Sequence, residues 1–259
     1  EALDPANAGL LVRTLVGSDN EQLCSLLVQR TEGTPLFIEE TIRAQVEHGV
    51  LQGGVGAYQL TQELHSIRIP DSVQAVLASR IDRLAPMQRE LLQTASVIGI
   101  DVGLALLEHV SDIPPGQLRG LLADLQAADF LYQVPNTASH QFRFRHALTH
   151  EVAYGTLLSR RRQQIHARVV RAIEDQHRGN LDEVVETLAH HAQNAELWEE
   201  TLTYSRRAGD KAVELSAYRE ARVFYDQSLL ALKHLPQDRG HIEIAIDIRL
   251  GLRAIFGAT

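Results

Sequence analysis

Arg30-Thr31-Glu32-Gly33-Thr34-Pro35-Leu36-Phe37-Ile38-Glu39-Glu40 is the stretch from which the rest of this chain is read. Pro35 suits the first position of a helix, where its missing N–H would have had no helical partner, and the apolar residues after it continue at helical spacing. The stretch is therefore a junction: helices of about Glu21 to Arg30 and Pro35 to His48 meet at a Gly33-Thr34-Pro35 turn.

Working outward, helical spacing holds almost everywhere, with two short exceptions. Apolar residues around Val50-Leu51 and Tyr58-Gln59-Leu60 flank Gly53-Gly54-Val55-Gly56, as in a β-hairpin. A second hairpin is expected from Phe130 to Val134 and Gln141 to Phe144, joined by Pro135-Asn136-Thr137-Ala138-Ser139. Between them, Pro70-Asp71-Ser72 opens a helix with Asp71 as candidate N-cap, and Pro86 opens another. A shorter helix runs about Val102 to His109, and Pro114-Pro115 opens a last one that leads into the second hairpin. These helices followed by a two-stranded wing describe a winged-helix domain over 70–145.

From His146 onward the chain is helical, in segments of about 146–158, 159–178, 181–194, 197–208, 209–217, 218–234 and 239–256, separated by little more than Gly179-Asn180, Gly209 and Pro236. The fold class is mainly α: a helical first part with a hairpin (1–69), a winged-helix domain (70–145), connecting helices (146–180) and an antiparallel helix-hairpin array (181–259).

Composition excludes several functions. With 259 residues, 44% of them hydrophobic and no apolar run of membrane-spanning length, the chain is expected to be globular, with no membrane partner. A net charge of −8 argues against bulk attraction to nucleic acid or anionic lipid. A single cysteine, Cys24, excludes an intramolecular disulfide framework and suits a reducing cytoplasm. Glu1-Ala2-Leu3-Asp4-Pro5 has neither a basic nor an apolar leader segment, and the chain is expected to be a piece of a longer one.

Chemistry-bearing patterns are scarce. No Gly-Lys dipeptide occurs, so no Walker A loop, G-x-x-x-x-G-K-[ST], is present to cradle phosphates. His146 and His150 share a helix face, but no third ligand follows at metalloprotease spacing, and adjacent His190 and His191 point to different faces; no metal site is expected. No Gly-x-Ser-x-Gly elbow marks a hydrolase, and no catalytic residue is assigned. The helix that would enter a DNA groove carries Arg119 as its only basic residue, beside Asp124, so charge opposes nucleic acid as a partner. The run Arg160-Arg161-Arg162, with Arg168 and Arg171, reads as a solvated face or, as the alternative, a contact with a partner domain or nucleic acid.

The order of these parts resembles a family. A Gly-x-Pro-Leu-Phe-Ile-Glu-Glu helix, then a winged helix ending in Phe144-Arg145-His146-Ala147-Leu148-Thr149-His150-Glu151-Val152-Ala153-Tyr154, then helical repeats, is similar to the STAND signal-transduction ATPases of the AAA+ class. The likeness is strongest to bacterial regulators in which such an ATPase follows an adenylate/guanylate cyclase domain and precedes tetratricopeptide-like repeats. It covers essentially the whole chain but begins after the family's nucleotide-binding core.

The resemblance implies that residues 1–69 form the ATPase lid, that Gly33 and Pro35 face the adenine, and that His146 touches the diphosphate of bound ADP. A helix N-terminus favours an anion there. Many relatives carry Met-His-Asp where this chain has Arg145-His146-Ala147. The implied ligand is ATP or ADP with magnesium in the full-length parent, with no tight binding and no catalysis by this chain alone. The implied partners are the missing core and an output domain of cyclase type.

The last third resembles tetratricopeptide repeats through Trp198, Tyr204, Ala208 and Gly209, followed by Tyr218, Glu220, Ala221, Phe224, Tyr225, Ser228 and Leu229. The spacing from Thr201 to Ala221 is shorter than the family unit of roughly 34 residues. Because such repeats bury their faces by stacking, the end at Ile255-Phe256-Gly257-Ala258-Thr259 reads as a truncation. A protein or peptide is the expected partner of the array. The alternative is a helical interaction scaffold or winged-helix transcriptional regulator without nucleotide.

Overall fold

The computed structural model describes residues 2–17, 21–61, 69–135 and 140–258. Among these described residues the protein is mainly α, with two small antiparallel sheets, and it divides into two compact units: Glu1–Arg89 with His146–Thr156, and Glu90–Arg145 with Leu157–Thr259.

The first unit contains α1 (Pro5–Val16), α2 (Glu21–Thr31), α3 (Pro35–Glu47), the hairpin of β1 (Leu51–Gln52) and β2 (Gln59–Leu60), and α4 (Val73–Arg83). Its α8 (Ala147–Gly155) comes from later in the chain. Helix α1 is additional to the two expected before the hairpin. Asp4 caps it by accepting from the Ala6 and Asn7 N–H groups, and Pro5 occupies its first turn. Ala8, Val12 and Val16 of α1 meet Leu23 and Leu27 of α2, Ile38 and Ile42 of α3, and Leu51 of β1 in one core. Each large aliphatic side chain buried there contributes about 1.5–3 kcal/mol. The N-cap of α4 is Ser72 rather than Asp71: the Ser72 hydroxyl accepts from the Ala75 N–H at 3.2 Å, the third helical position that a serine cap reaches.

The second unit begins within α5 (Pro86–Ile98) and continues through β3 (Asp101–Gly103), α6 (Leu104–Val110), α7 (Pro115–Ala127), β4 (Leu131–Gln133) and β5 (Gln141–Phe144). The strands form a three-stranded antiparallel sheet in the order β3-β5-β4, with Val102 opposite Phe142 and Tyr132 opposite Arg143. Strand β3 falls where the start of a helix was expected; α6 begins only at Leu104. A three-residue strand is too short to show a period of its own. It is fixed by its partner: Arg143 donates to both Asp101 carboxylate oxygens across the β3–β5 pair, at 2.5 and 3.0 Å. Residues 136–139 of the expected connecting turn lie outside the described residues.

Helices α9 (Ser159–Gln176), α10 (Val185–Asn194), α11 (Trp198–Glu214), α12 (Tyr218–Leu232) and α13 (Arg239–Ala258) follow, with a short 3-10 turn at Leu181–Glu183 before α10. Each of α10 to α13 packs on its predecessor, giving a helix-hairpin array. The expected break at Gly209 does not occur; α11 runs straight through it. The chain turns at the expected breaks before α11 and before α12, through Glu196 and Ser216, both left-handed, with φ of 57° and 58°. At each, the following N–H reaches back to the last helical turn, Leu197 to the Ala192 carbonyl and Ala217 to the Ala212 carbonyl, which satisfies an orphan acceptor without a glycine.

Candidate functional site

The Gly33-x-Pro35 turn sits between α2 and α3. Thr34 N–H donates to the Thr31 carbonyl, Glu32 and Gly33 have φ of 50° and 69°, and Pro35 is the first residue of α3. Gly33 is required by close approach as well as by φ: a Cβ on it would lie 2.7 Å from the Leu3 carbonyl oxygen. The Leu3 N–H in turn donates to the Gly33 carbonyl at 2.9 Å. One surface of this turn is thus occupied by the segment preceding α1. Pro35 is partly exposed.

His146 is the N-cap residue of α8, with extended φ and ψ of −136° and 144° and a partly exposed side chain that makes no cap hydrogen bond. Its carbonyl accepts from the N–H groups of Thr149 and His150. The i, i+4 neighbour His150 stacks on Tyr154 with ring centroids 6.5 Å apart. Gly33, Pro35 and His146 all belong to the first unit, but among the described residues no hydrogen bond, ion pair or ring contact joins His146 to the turn.

The helix that the turn opens, α3, is held by a buried ionic network. Arg80 of α4 is 2% exposed and donates to Glu40, itself 1% exposed, and through Nε and Nη2 to Glu47 at 2.9 and 2.5 Å. Burial works against the guanidinium charge, but the Glu47 and Glu40 carboxylates more than offset it and raise the Arg80 pKa above its ordinary value. Arg43 adds a second cation to Glu40 at 3.3 Å. Helix α3, opened by the turn, is thereby fastened to α4, and α4 also packs against α8. Within the quoted Glu39-Glu40 pair only Glu40 is buried; helical spacing from Phe37, Thr41 and Ala44 places it on the inner face, but Arg80 lies too far along the chain to be paired by sequence.

In the second unit, two of the basic residues of α9 are ion-paired. Arg161 meets Glu90 at 2.6 Å and Arg168 meets Asp112 at 2.5 Å. A buried pair of rings joins α9 to α10: His166 Nδ1 and His191 Nδ1 are 2.8 Å apart, one ring donating to the other, while His190 remains exposed. Among the described residues, no group of three or more His, Cys, Asp or Glu side chains is placed to hold a metal, and no helix is long and apolar enough to cross a membrane.

No protein-family model matches the chain. It is 30% identical over 203 residues to an uncharacterized protein of Rhizobium meliloti (strain 1021); the match covers 76% of this chain and 19% of that protein. Among solved structures it is similar to a Signal Transduction ATPase with Numerous Domains (STAND) protein with a tetratricopeptide repeat sensor from Pyrococcus horikoshii. That likeness has a TM-score of 0.43 and 11% identity, over 98% of this chain and 45% of the other.

Proposed function

We propose that this chain is the lid, winged-helix and first repeat portion of a STAND-type signal-transduction ATPase, of the kind linked to an adenylate or guanylate cyclase. In this reading it relays nucleotide state to protein-interaction repeats and an output domain, and performs no chemistry by itself. The observation that carries the reading is a return of the chain: after residues 90–145 fold elsewhere, α8 with His146 at its N-cap rejoins the unit holding Gly33 and Pro35.

Helix α4 is the common partner of both nucleotide-facing elements. It is fastened to α3 through Arg80 and packed on α8, and it leads directly into α5. The order helix α5, strand β3, helices α6 and α7, hairpin β4–β5 is that of a winged-helix domain, which on this reading receives the motion. A nucleotide bridging the turn and His146 would hold α3 and α8 in one arrangement about α4. Such a switch works only if ADP and ATP favour different arrangements.

One observation favours the scaffold alternative: the close approach that requires Gly33 is made here by Leu3, so a turn with no ligand would need the same glycine. The DNA-binding form of that alternative is opposed by α7, whose single basic residue is Arg119, and by the paired state of Arg161 and Arg168. The discriminating experiment is equilibrium binding of fluorescent ADP to the parent chain and to residues 1–259. Tight binding by the parent alone supports the relay, and no binding by either supports the scaffold.

A further inference from the structure

Helix α13 is apolar on two opposite faces. Ile244, Ile248, Leu252 and Ile255 pack into the core shared with α11 and α12, whereas Ile242, Ile246 and Leu250, at i, i+4 and i+8, point away from it. With Val223 and Leu230 of α12, these three make five of the eleven exposed large apolar side chains among the described residues, each between 37% and 58% exposed. A helix apolar on both faces is normally covered on both. Between α12 and α13 lies an open groove of about 680 Å³, floored by Leu229, Leu230, Ile242, Ala245 and Ile246.

The array contains a filled precedent for this groove. Helix α13 itself seats against α12 through aliphatic side chains and reaches α11 through the Arg206–Asp247 ion pair at 3.5 Å and a polar contact of His241 with Glu199 at 3.6 Å. One step further along, the α12–α13 groove offers the same kind of apolar floor, with Lys233 and Arg249 on its rim. Neither cation has a carboxylate partner among the described residues; Arg249 donates only to the Ala245 carbonyl, and Asp226, the rim's one carboxylate, is paired with Arg222 at 3.7 Å. The geometry points to this groove as the docking site of an amphipathic helix that presents aliphatic side chains at i, i+4 and i+8 and flanks them with carboxylates for Lys233 and Arg249. The occupant continues the stacking by which α13 rests on α12. This deepens the interaction role proposed for the array and is independent of nucleotide, so its failure leaves the relay untouched.

The test uses the 259-residue chain and two synthetic peptides of ~20 residues, the length of α13, each with the same leucine ladder and flanked by Glu in one and by Lys in the other. Fluorescence anisotropy is expected to show the Glu peptide bound at least about tenfold more tightly than the Lys peptide. The preference should reverse in Lys233→Glu/Arg249→Glu, whose changes are both on exposed side chains. Ile246→Asp, with helical circular dichroism retained, should abolish binding, whereas Val55→Asp, on an exposed side chain of the other unit, should not. Equal binding of both peptides, binding of neither, or an unreversed preference in the double variant overturns the proposal. So does a dimer of the chain that Ile246→Asp dissociates and the Glu peptide leaves intact, since a second copy would then be the occupant.

Discussion

The ring of Tyr225 lies across the bare Cα of Gly209: a Cβ at 209 would fall 2.6 Å from Cε1. The Tyr225 hydroxyl donates to Asp210 Oδ1 at 2.7 Å, so the ring is held from its far end and cannot swing aside cheaply. Gly209 is therefore a contact between α11 and α12, not a break between helices.

Gly209→Ala is expected to destabilise the protein even though alanine is the better helix former by about 1 kcal/mol, because overpacking a fixed ring costs about 1–3 kcal/mol. Gly251→Ala supplies the comparison. Its Cβ would meet the same ring at 3.5 Å, an ordinary contact, so it should be neutral or slightly stabilising. Thermal unfolding of the two variants checks this; equal melting temperatures would contradict the account of Gly209.

The Arg80 network predicts a sharp asymmetry. Arg80→Leu leaves the buried Glu40 with Arg43 alone and takes from Glu47 its Arg80 partner, and should cost about 3–5 kcal/mol, whereas Arg80→Leu/Glu40→Leu should recover much of the loss because the buried carboxylate is removed with its cation. Denaturant unfolding of both variants reads the difference. A double variant no more stable than the single would show that Glu40 is not held by Arg80.

The His166–His191 pair predicts acid sensitivity. Burial, followed by the neighbouring His190 and Arg162 charges, lowers His166 to about 4; burial, followed by His166 and His190, lowers His191 to about 3. Both lie below the value of about 6.5 in an unfolded chain. The unfolded state therefore takes up protons first as pH falls. The pair's contribution is complete above about pH 6.5 and is lost as pH falls towards 4 and then 3, by up to about 1.4 kcal/mol per histidine per pH unit. Unfolding measured between about pH 6.5 and 4.5 should show a shallower slope for His191→Gln than for wild type; parallel slopes would remove the pair from the acid response.

Much of the fold was legible because helices longer than ten residues repeat their period often enough to be seen, and because Pro35, Pro86 and Pro115 mark helix starts by a chemistry proline cannot avoid. The failures have a common cause in short or long-range determinants. Strand β3 exists through its pairing with β5, and Gly209, which does suggest a turn, is small for the sake of Tyr225. At the candidate site, Leu3 against the Gly33 turn and Arg80 against Glu40 and Glu47 of α3 are contacts across distance that periodicity does not carry.

The measurement that bears most directly on nucleotide sensing is retention of ADP by the parent protein through gel filtration, compared between wild type and His146→Ala. The relay account predicts that the variant elutes with most of its ADP lost and its dissociation rate raised about tenfold or more, the cost of one charge-assisted contact to a phosphate. ADP retained equally by both proteins would contradict it, and would leave His146 as the N-cap of α8 and nothing more.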